Sequence, residues 1–367
     1  MSDILRRTFD EHGQSPWLDN LQRSYITSGK LSELISFGVR GLTSNPTIFQ
    51  KAIQGSADYD EQFSSEIRQG ATPLEAYWSL VIKDINDALD VFADLYSSSS
   101  GLDGFVSVEV DPRLAKDGEQ TLVAARELDE RINRPNVMIK IPATEEGLPA
   151  IEQMISEGRN VNVTLIFSLQ RYQQVMDAYV AGLETRAARG LDVSGIQSVA
   201  SFFISRVDND IDELLNLNGS PEALELRGKA AISQARLAYA LFQTTFSGPR
   251  WEKLSSLGAS VQRPLWASTS TKNPSYSDTL YVDELIGPMT VNTIPEATLN
   301  AFADHGNPSR SIDVNVSGAV DTWKSLRTFG VDVDEVARKL EREGVASFIK
   351  SFEELVDALN QKASSLG

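Results

Sequence analysis

Three short runs, Phe105-Val-Ser-Val-Glu-Val-Asp111, Asn136-Val-Met-Ile-Lys-Ile-Pro142 and Asn160-Val-Asn-Val-Thr-Leu-Ile-Phe167, carry an aliphatic residue at every second position. Successive side chains of a strand point to opposite faces, so residue parity sorts them. Val106, Val108 and Val110 share one face and Ser107, Glu109 and Asp111 the other. Val137, Ile139 and Ile141 oppose Met138 and Lys140; Val161, Val163 and Leu165 oppose Asn162, Thr164 and Ile166. If the aliphatic faces pack on helices, the other parity sends Glu109, Lys140, Asn162 and Thr164 into one enclosed space. Buried polar groups that converge this way either satisfy one another or serve chemistry. A lysine among them favours chemistry, because lysine is almost never buried without a partner and a desolvated amine is a carbonyl nucleophile.

The same rhythm extends along the chain. Further strands are expected at Gly38-Asn45, Gln197-Ile204, Arg263-Ser268 and Pro288-Ile294, with a weaker eighth near Ser15-Asn20. Helical periodicity fills Thr72-Tyr96, Asp117-Ile132, Glu146-Glu157, Leu169-Ala187 and Glu222-Thr245. Alternating strands and helices imply βα units on a parallel sheet, and seven or eight strands suit a closed ring. The fold class is α/β, a (β/α)₈ TIM barrel with additional helices. No Gly/Ser/Pro-rich linker divides residues 1–367, so one domain is expected. Extra sequence around 208–261 fits a lid, a helical layer or an interface, and helices after Asp334 close the C-terminal end.

The bulk composition excludes several classes. Thirty-four basic against 51 acidic residues leave a net charge of −17, which argues against nucleic acid or anionic membranes as partners. Anionic small molecules stay open, since a few local cations outweigh a distant surface field. Without cysteine, disulfides, Cys-ligated zinc and thiol nucleophiles have no residues to build them, and the two histidines, His12 and His305, stand in no metal-binding spacing and argue against histidine-rich metal sites and a Ser-His-Asp triad. There is no GxxxxGK[ST] and no GxGxxG after a strand. No apolar run resembles a signal peptide or approaches the ~18 residues of a membrane span, so a cytoplasmic protein is expected.

Gly41-Leu-Thr-Ser-Asn-Pro-Thr47, Val106-Ser-Val-Glu-Val-Asp111, Met138-Ile-Lys-Ile-Pro-Ala-Thr144 and Asn162-Val-Thr-Leu-Ile-Phe167 together resemble, in order, the signature strands of transaldolases. The resemblance runs from about Trp17 to Asn292 and is closest to the longer bacterial type. It implies that Lys140 forms a Schiff base with a ketose phosphate and that Glu109 and Thr164 hold a water for proton transfer. It implies further that Asp19 deprotonates the hydroxyl as the carbon–carbon bond breaks, and that Asn45 and Asn162 bind substrate hydroxyls. Ser201 and Arg206 match residues near the phosphate, and Ser268 a hydroxyl close to the imine. The implied reaction transfers a dihydroxyacetone unit between sugar phosphates in the pentose phosphate pathway, without metal or organic cofactor, in a monomer or homodimer.

Two places depart from the pattern. Many transaldolases have a phosphate-binding arginine where this chain has Ser270; Lys272 nearby could supply the charge, or could be a solvated loop lysine. Trp17-Leu-Asp-Asn-Leu is a poor strand and reads also as a helix start capped by Asp19. Arg206 followed by Asp208 and Asp210 fits a surface ion-pair cluster as well, and Asn45-Pro46 a simple turn. Two rivals remain: an aldolase that releases free products, and a barrel that binds without catalysis. In the aldolase relatives the glutamate is glutamine and a nearby phenylalanine is tyrosine; this chain has Glu109 and Phe203.

Overall fold

Eight parallel strands close on themselves in chain order. They are β1 (Gln14–Leu18), β2 (Gly41–Thr43), β3 (Phe105–Glu109), β4 (Val137–Pro142), β5 (Val161–Ile166), β6 (Ser198–Phe203), β7 (Gln262–Ala267) and β8 (Thr290–Ile294). The ring shuts where β1 runs beside β8, Trp17 opposite Thr293 and Leu18 opposite Ile294. The protein is therefore a (β/α)₈ barrel, seen here in a computed structural model that describes residues 3–365. Among the described residues no helix is long and apolar enough to cross a membrane.

Helices begin where short polar side chains can take up their first free N–H groups. Thr72 and Glu75 form a capping box ahead of Pro73–Ser98, Asp117 accepts from Gln120 N at 3.0 Å, and Ser168 accepts from Arg171 N at 3.0 Å. The aliphatic faces of β3, β4 and β5 are fully buried in the core formed with these outer helices. The opposite parity fills the barrel in layers. Its floor is an ionic knot: Arg40 and Arg263 both pair with buried Asp103, at 2.6 and 3.3 Å, and Ser15 donates to the same carboxylate. Above it lie the rings of Trp17 and Phe105, with centroids 6.4 Å apart. Gly41 is required there, because a Cβ would sit 2.5 Å from Trp17 Cε2.

Three expectations need correction. Glu222-Thr245 is not one helix. It is Pro221–Leu224 and Ala230–Thr245, parted where Gly228 turns to φ +71°. The end of β5 does not keep strict alternation. Its register with β6 shifts between Val163 and Ile166, and Leu165 takes φ +61°. A single 32-residue helix, Val333–Ser364, stands where several helices were expected. It crosses the barrel mouth, with Gly344 brought close to Leu165 and Arg206 and Ser351 bonded to Thr47 at 2.8 Å. The stretch between β6 and β7 is a helical layer comprising Ser205–Asn218, Pro221–Leu224, Ala230–Thr245 and Pro249–Ser255.

Candidate active site

The cavity of about 350 Å³ at the C-terminal mouth of the barrel is built chiefly from residues at strand ends and the loops after them, where barrel enzymes place their chemistry. Lys140, on β4, reaches it from a buried position. Its Nζ donates to the Ser44 carbonyl at 3.0 Å and lies 3.3 Å from Glu109 Oε2. That second contact is an ion pair without hydrogen-bond geometry. Glu109 Oε2 and Thr164 Oγ1 are both buried and, among the described residues, have no hydrogen-bond partner. Burial pushes the Glu109 carboxyl up, and the neighbouring Lys140 pulls it partly back. A raised carboxyl next to an amine can hold and return a proton near neutral pH.

The Thr43-Ser-Asn-Pro46 segment sets several of these groups at once. Thr43 donates to Asp19 Oδ1 at 2.8 Å, and the Ser44 carbonyl holds the Lys140 amine. Asn45 caps the helix Pro46–Gly55, accepting from Ile48 N at 3.0 Å, and still lines the cavity. It is a cap and a cavity residue together, more than a turn former. Asp19 follows β1 directly and caps no helix, since the next one starts at Arg23. Burial pushes its carboxyl up, against the pull of Lys140, the Thr43 hydroxyl and Arg206.

Arg206 is not part of a surface cluster with Asp208 and Asp210. It lines the cavity and its guanidinium lies over the Phe203 ring, 5.1 Å from the centroid. Burial pulls it below its usual range, with Asp19 and Glu109 acting the other way. Asp210 instead pairs with Lys339 at 2.7 Å. Ser268 holds φ +57°, an uncommon conformation that recurs at functional sites, and shares a hydrogen bond with Ser205 at 2.9 Å. Lys272 and Ser270 both reach the cavity wall.

Of the eleven residues singled out from sequence, nine line the cavity: Asp19, Asn45, Lys140, Thr164, Ser201, Phe203, Arg206, Ser268 and Lys272. Glu109 stands behind Lys140. Asn162 lies beneath the floor, its amide donating to Ser107 at 3.0 Å and accepting from Ser201 at 2.7 Å. Its bonds in this structure go to the protein. Among the lining residues outside the motifs and strands read from sequence are Lys51, Ser347 and Phe348. Lys51 stands four residues after Thr47 on one helix, so helical spacing could have found it; nothing local marks the other two. Lys51, Arg206 and Lys272 make no salt bridge among the described residues, so the mouth is cationic within a chain of net charge −17.

The geometry thus defines a (β/α)₈ barrel whose cation-lined cavity holds a buried lysine beside a carboxylate, a setting that suits an amine nucleophile. The comparisons go further. The model of the Transaldolase/Fructose-6-phosphate aldolase family matches residues 16–359. "Transaldolase 1" of Streptomyces coelicolor is 50% identical over 99% of this chain and 96% of its own length. "Transaldolase" of Saccharopolyspora erythraea is 52% identical over 95% of each, and "Transaldolase" of Trichodesmium erythraeum 46% over 96% of each. The chain belongs to the transaldolase/fructose-6-phosphate aldolase family.

Proposed function

We propose that Lys140 is the Schiff-base nucleophile of a transaldolase, a transferase moving a dihydroxyacetone unit between sugar phosphates. Transaldolase function follows from relatives of that name at about half identity over nearly the whole chain. The observation that carries the residue roles is the setting of Lys140, buried, 3.0 Å from the Ser44 carbonyl and 3.3 Å from Glu109. The neutral amine attacks the ketone of fructose 6-phosphate or sedoheptulose 7-phosphate, and Glu109 is close enough to take up its proton. The carbinolamine then loses hydroxide as water. Glu109 Oε2 and Thr164 Oγ1, neither with a hydrogen-bond partner among the described residues, supply the proton through a water held between them.

The protonated imine draws electrons from the adjacent bond. Asp19, held by Thr43, removes the proton of the hydroxyl one carbon beyond that bond, and an aldose phosphate leaves. The retained enamine adds to a second aldose, erythrose 4-phosphate or glyceraldehyde 3-phosphate, and hydrolysis frees the new ketose. Asn45 orients the hydroxyls, and Asn162 does so from below through Ser201. Arg206, Ser201 and Lys272 receive the phosphate, and Ser268 is a hydroxyl close to the imine. The C-terminal helix, with Ser347 and Phe348 on the cavity wall, keeps water from the enamine between the half-reactions. We read the chain as one barrel domain of the cytoplasmic pentose phosphate pathway, monomeric or homodimeric, working without a cofactor.

The test is conversion of fructose 6-phosphate and erythrose 4-phosphate to sedoheptulose 7-phosphate and glyceraldehyde 3-phosphate. Wild type should convert them, and Lys140→Met should lose turnover while keeping its circular dichroism and Tm. Appreciable transfer by the folded variant would remove Lys140 from its role. Release of free dihydroxyacetone by wild type, in place of transfer, would make the chain an aldolase.

A further inference from the structure

Two carboxylates just beyond Arg206 are built into a repeated arrangement that the reaction does not use. Asp208 and Asp212 stand one turn apart on the helix Ser205–Asn218 and so face the same way. Each accepts one backbone N–H from the turn ahead of Ala230–Thr245 or its start, and one phenol from the stretch after β7. Asp208 takes Ala231 N at 2.7 Å and Tyr281 Oη at 2.9 Å. Asp212 takes Gly228 N at 3.0 Å and Tyr276 Oη at 2.6 Å. The Tyr276 ring lies against backbone at Gly228, where a Cβ would stand 2.9 Å from Cζ.

The stretch held by these phenols carries Lys272. Ser270 shares a hydrogen bond with Thr298 at 2.9 Å, and Tyr276 is the next side chain bonded to another element. Between them, residues 271–275 make only local hydrogen bonds among the described residues. If Tyr276 lets go, the span carrying Lys272 lengthens to the exposed Asp278, bonded to His305 at 2.9 Å, and the next buried anchor is Tyr281. The other half of the clamp is the helix whose first turn holds Arg206.

We propose that the Asp212–Tyr276 bond, backed by Asp208–Tyr281, is a positioning clamp that sets Lys272 against Arg206 so that both cations bear on one substrate phosphate. Asp212 and Tyr276 are then positioning residues for phosphate recognition that never touch the sugar. This rests on the sugar-phosphate reading of the cavity. The two phenols give the Lys272 stretch the fixed register that its own sequence, Thr271-Lys-Asn-Pro-Ser275, lacks.

The experiment is steady-state kinetics on the full chain with fructose 6-phosphate as donor and erythrose 4-phosphate or unphosphorylated erythrose as acceptor. Tyr276→Phe keeps the ring and deletes one hydrogen bond to a charged acceptor, so KM for erythrose 4-phosphate should rise roughly tenfold. The kcat should stay within about twofold, and kcat/KM for erythrose should not move. Adding Tyr276→Phe to Lys272→Met should raise KM no further than Lys272→Met alone, because the clamp acts through that lysine. Asp212→Asn, which keeps an acceptor for Gly228 N–H, should show the same split and serves if Tyr276→Phe does not fold. An equal rise for both acceptors, an additive double variant, or a lowered Tm with no selective change in KM would each overturn the clamp and leave an ordinary structural bond. If wild type transfers and Tyr276→Phe matches it, only the clamp falls. If wild type does not transfer at all, the sugar-phosphate reading falls and the clamp with it.

Discussion

Glu109→Gln removes a charge and almost no volume, which makes it the sharpest probe of proton handling. Oε2 lies 3.3 Å from Lys140 Nζ; at an effective dielectric constant of ~20, two unit charges that far apart attract by about 5 kcal/mol. Most of that gross figure is cancelled by the cost of burying both charges. Once the carboxylate is gone, the cost of burying its charge is lifted and Lys140 keeps its bond to the Ser44 carbonyl, so Tm should move by only a few degrees. Glu109 is not on the cavity wall, so KM for fructose 6-phosphate should change by less than about threefold if binding is set by the lining residues. Imine formation should slow by about 10²–10⁴, the usual worth of a positioned acid–base group. The assay mixes enzyme with fructose 6-phosphate, quenches with borohydride at increasing times and counts the adduct by intact mass. An unchanged rate, or an unchanged limiting rate with much weaker saturation, would refute the assignment and make Glu109 a structural or binding residue.

Arg206→Ala should raise KM for erythrose 4-phosphate by about 10–100-fold, the loss of charge-assisted hydrogen bonds worth ~1.5–3 kcal/mol; equal effects on unphosphorylated erythrose would deny it the phosphate. Gly41→Ala forces a methyl onto Trp17 and should destabilise by about 1–3 kcal/mol in urea unfolding; a neutral result would mean the barrel floor is looser than described. Asp208, buried, has its carboxyl pushed up to about 7. A folded pKa above the unfolded one means the native state binds more protons, so this group costs stability as pH rises from about 4 to about 7. Asp208→Asn should therefore gain about 2 kcal/mol relative to wild type between pH 5.5 and pH 8. A pH-independent difference would show that Asp208 is already ionised at the lower pH.

The inward-facing polar groups of β3, β4 and β5 were legible because strand parity needs no tertiary knowledge. Glu109, Lys140 and Thr164 share the inward face, and the structure keeps them together until the register shift after Val163. Asp19 was harder. Trp17-Leu-Asp-Asn-Leu has little strand character of its own; what extends it is pairing with β2 and β8 on both sides, a consequence of closure that no local window contains. Arg206 was ambiguous for the opposite reason: Asp208 and Asp210 after it look solvated in sequence, while Asp208 is buried against the phenol of Tyr281, more than 60 residues away. Ser347 and Phe348 come from a helix whose destination is set by its fit over the mouth, through contacts such as Thr47–Ser351. The break at Gly228 was passed over because helical periodicity continues on either side of it.

The central claim is that Lys140 holds the three-carbon unit between two sugars. The most direct measurement incubates the protein with fructose 6-phosphate, reduces with borohydride and maps the adduct by peptide mass, with and without erythrose 4-phosphate added before reduction. A three-carbon adduct on Lys140 that disappears when the acceptor is added first is the expected result. An adduct elsewhere, one that the acceptor does not discharge, or none at all on folded protein would contradict it.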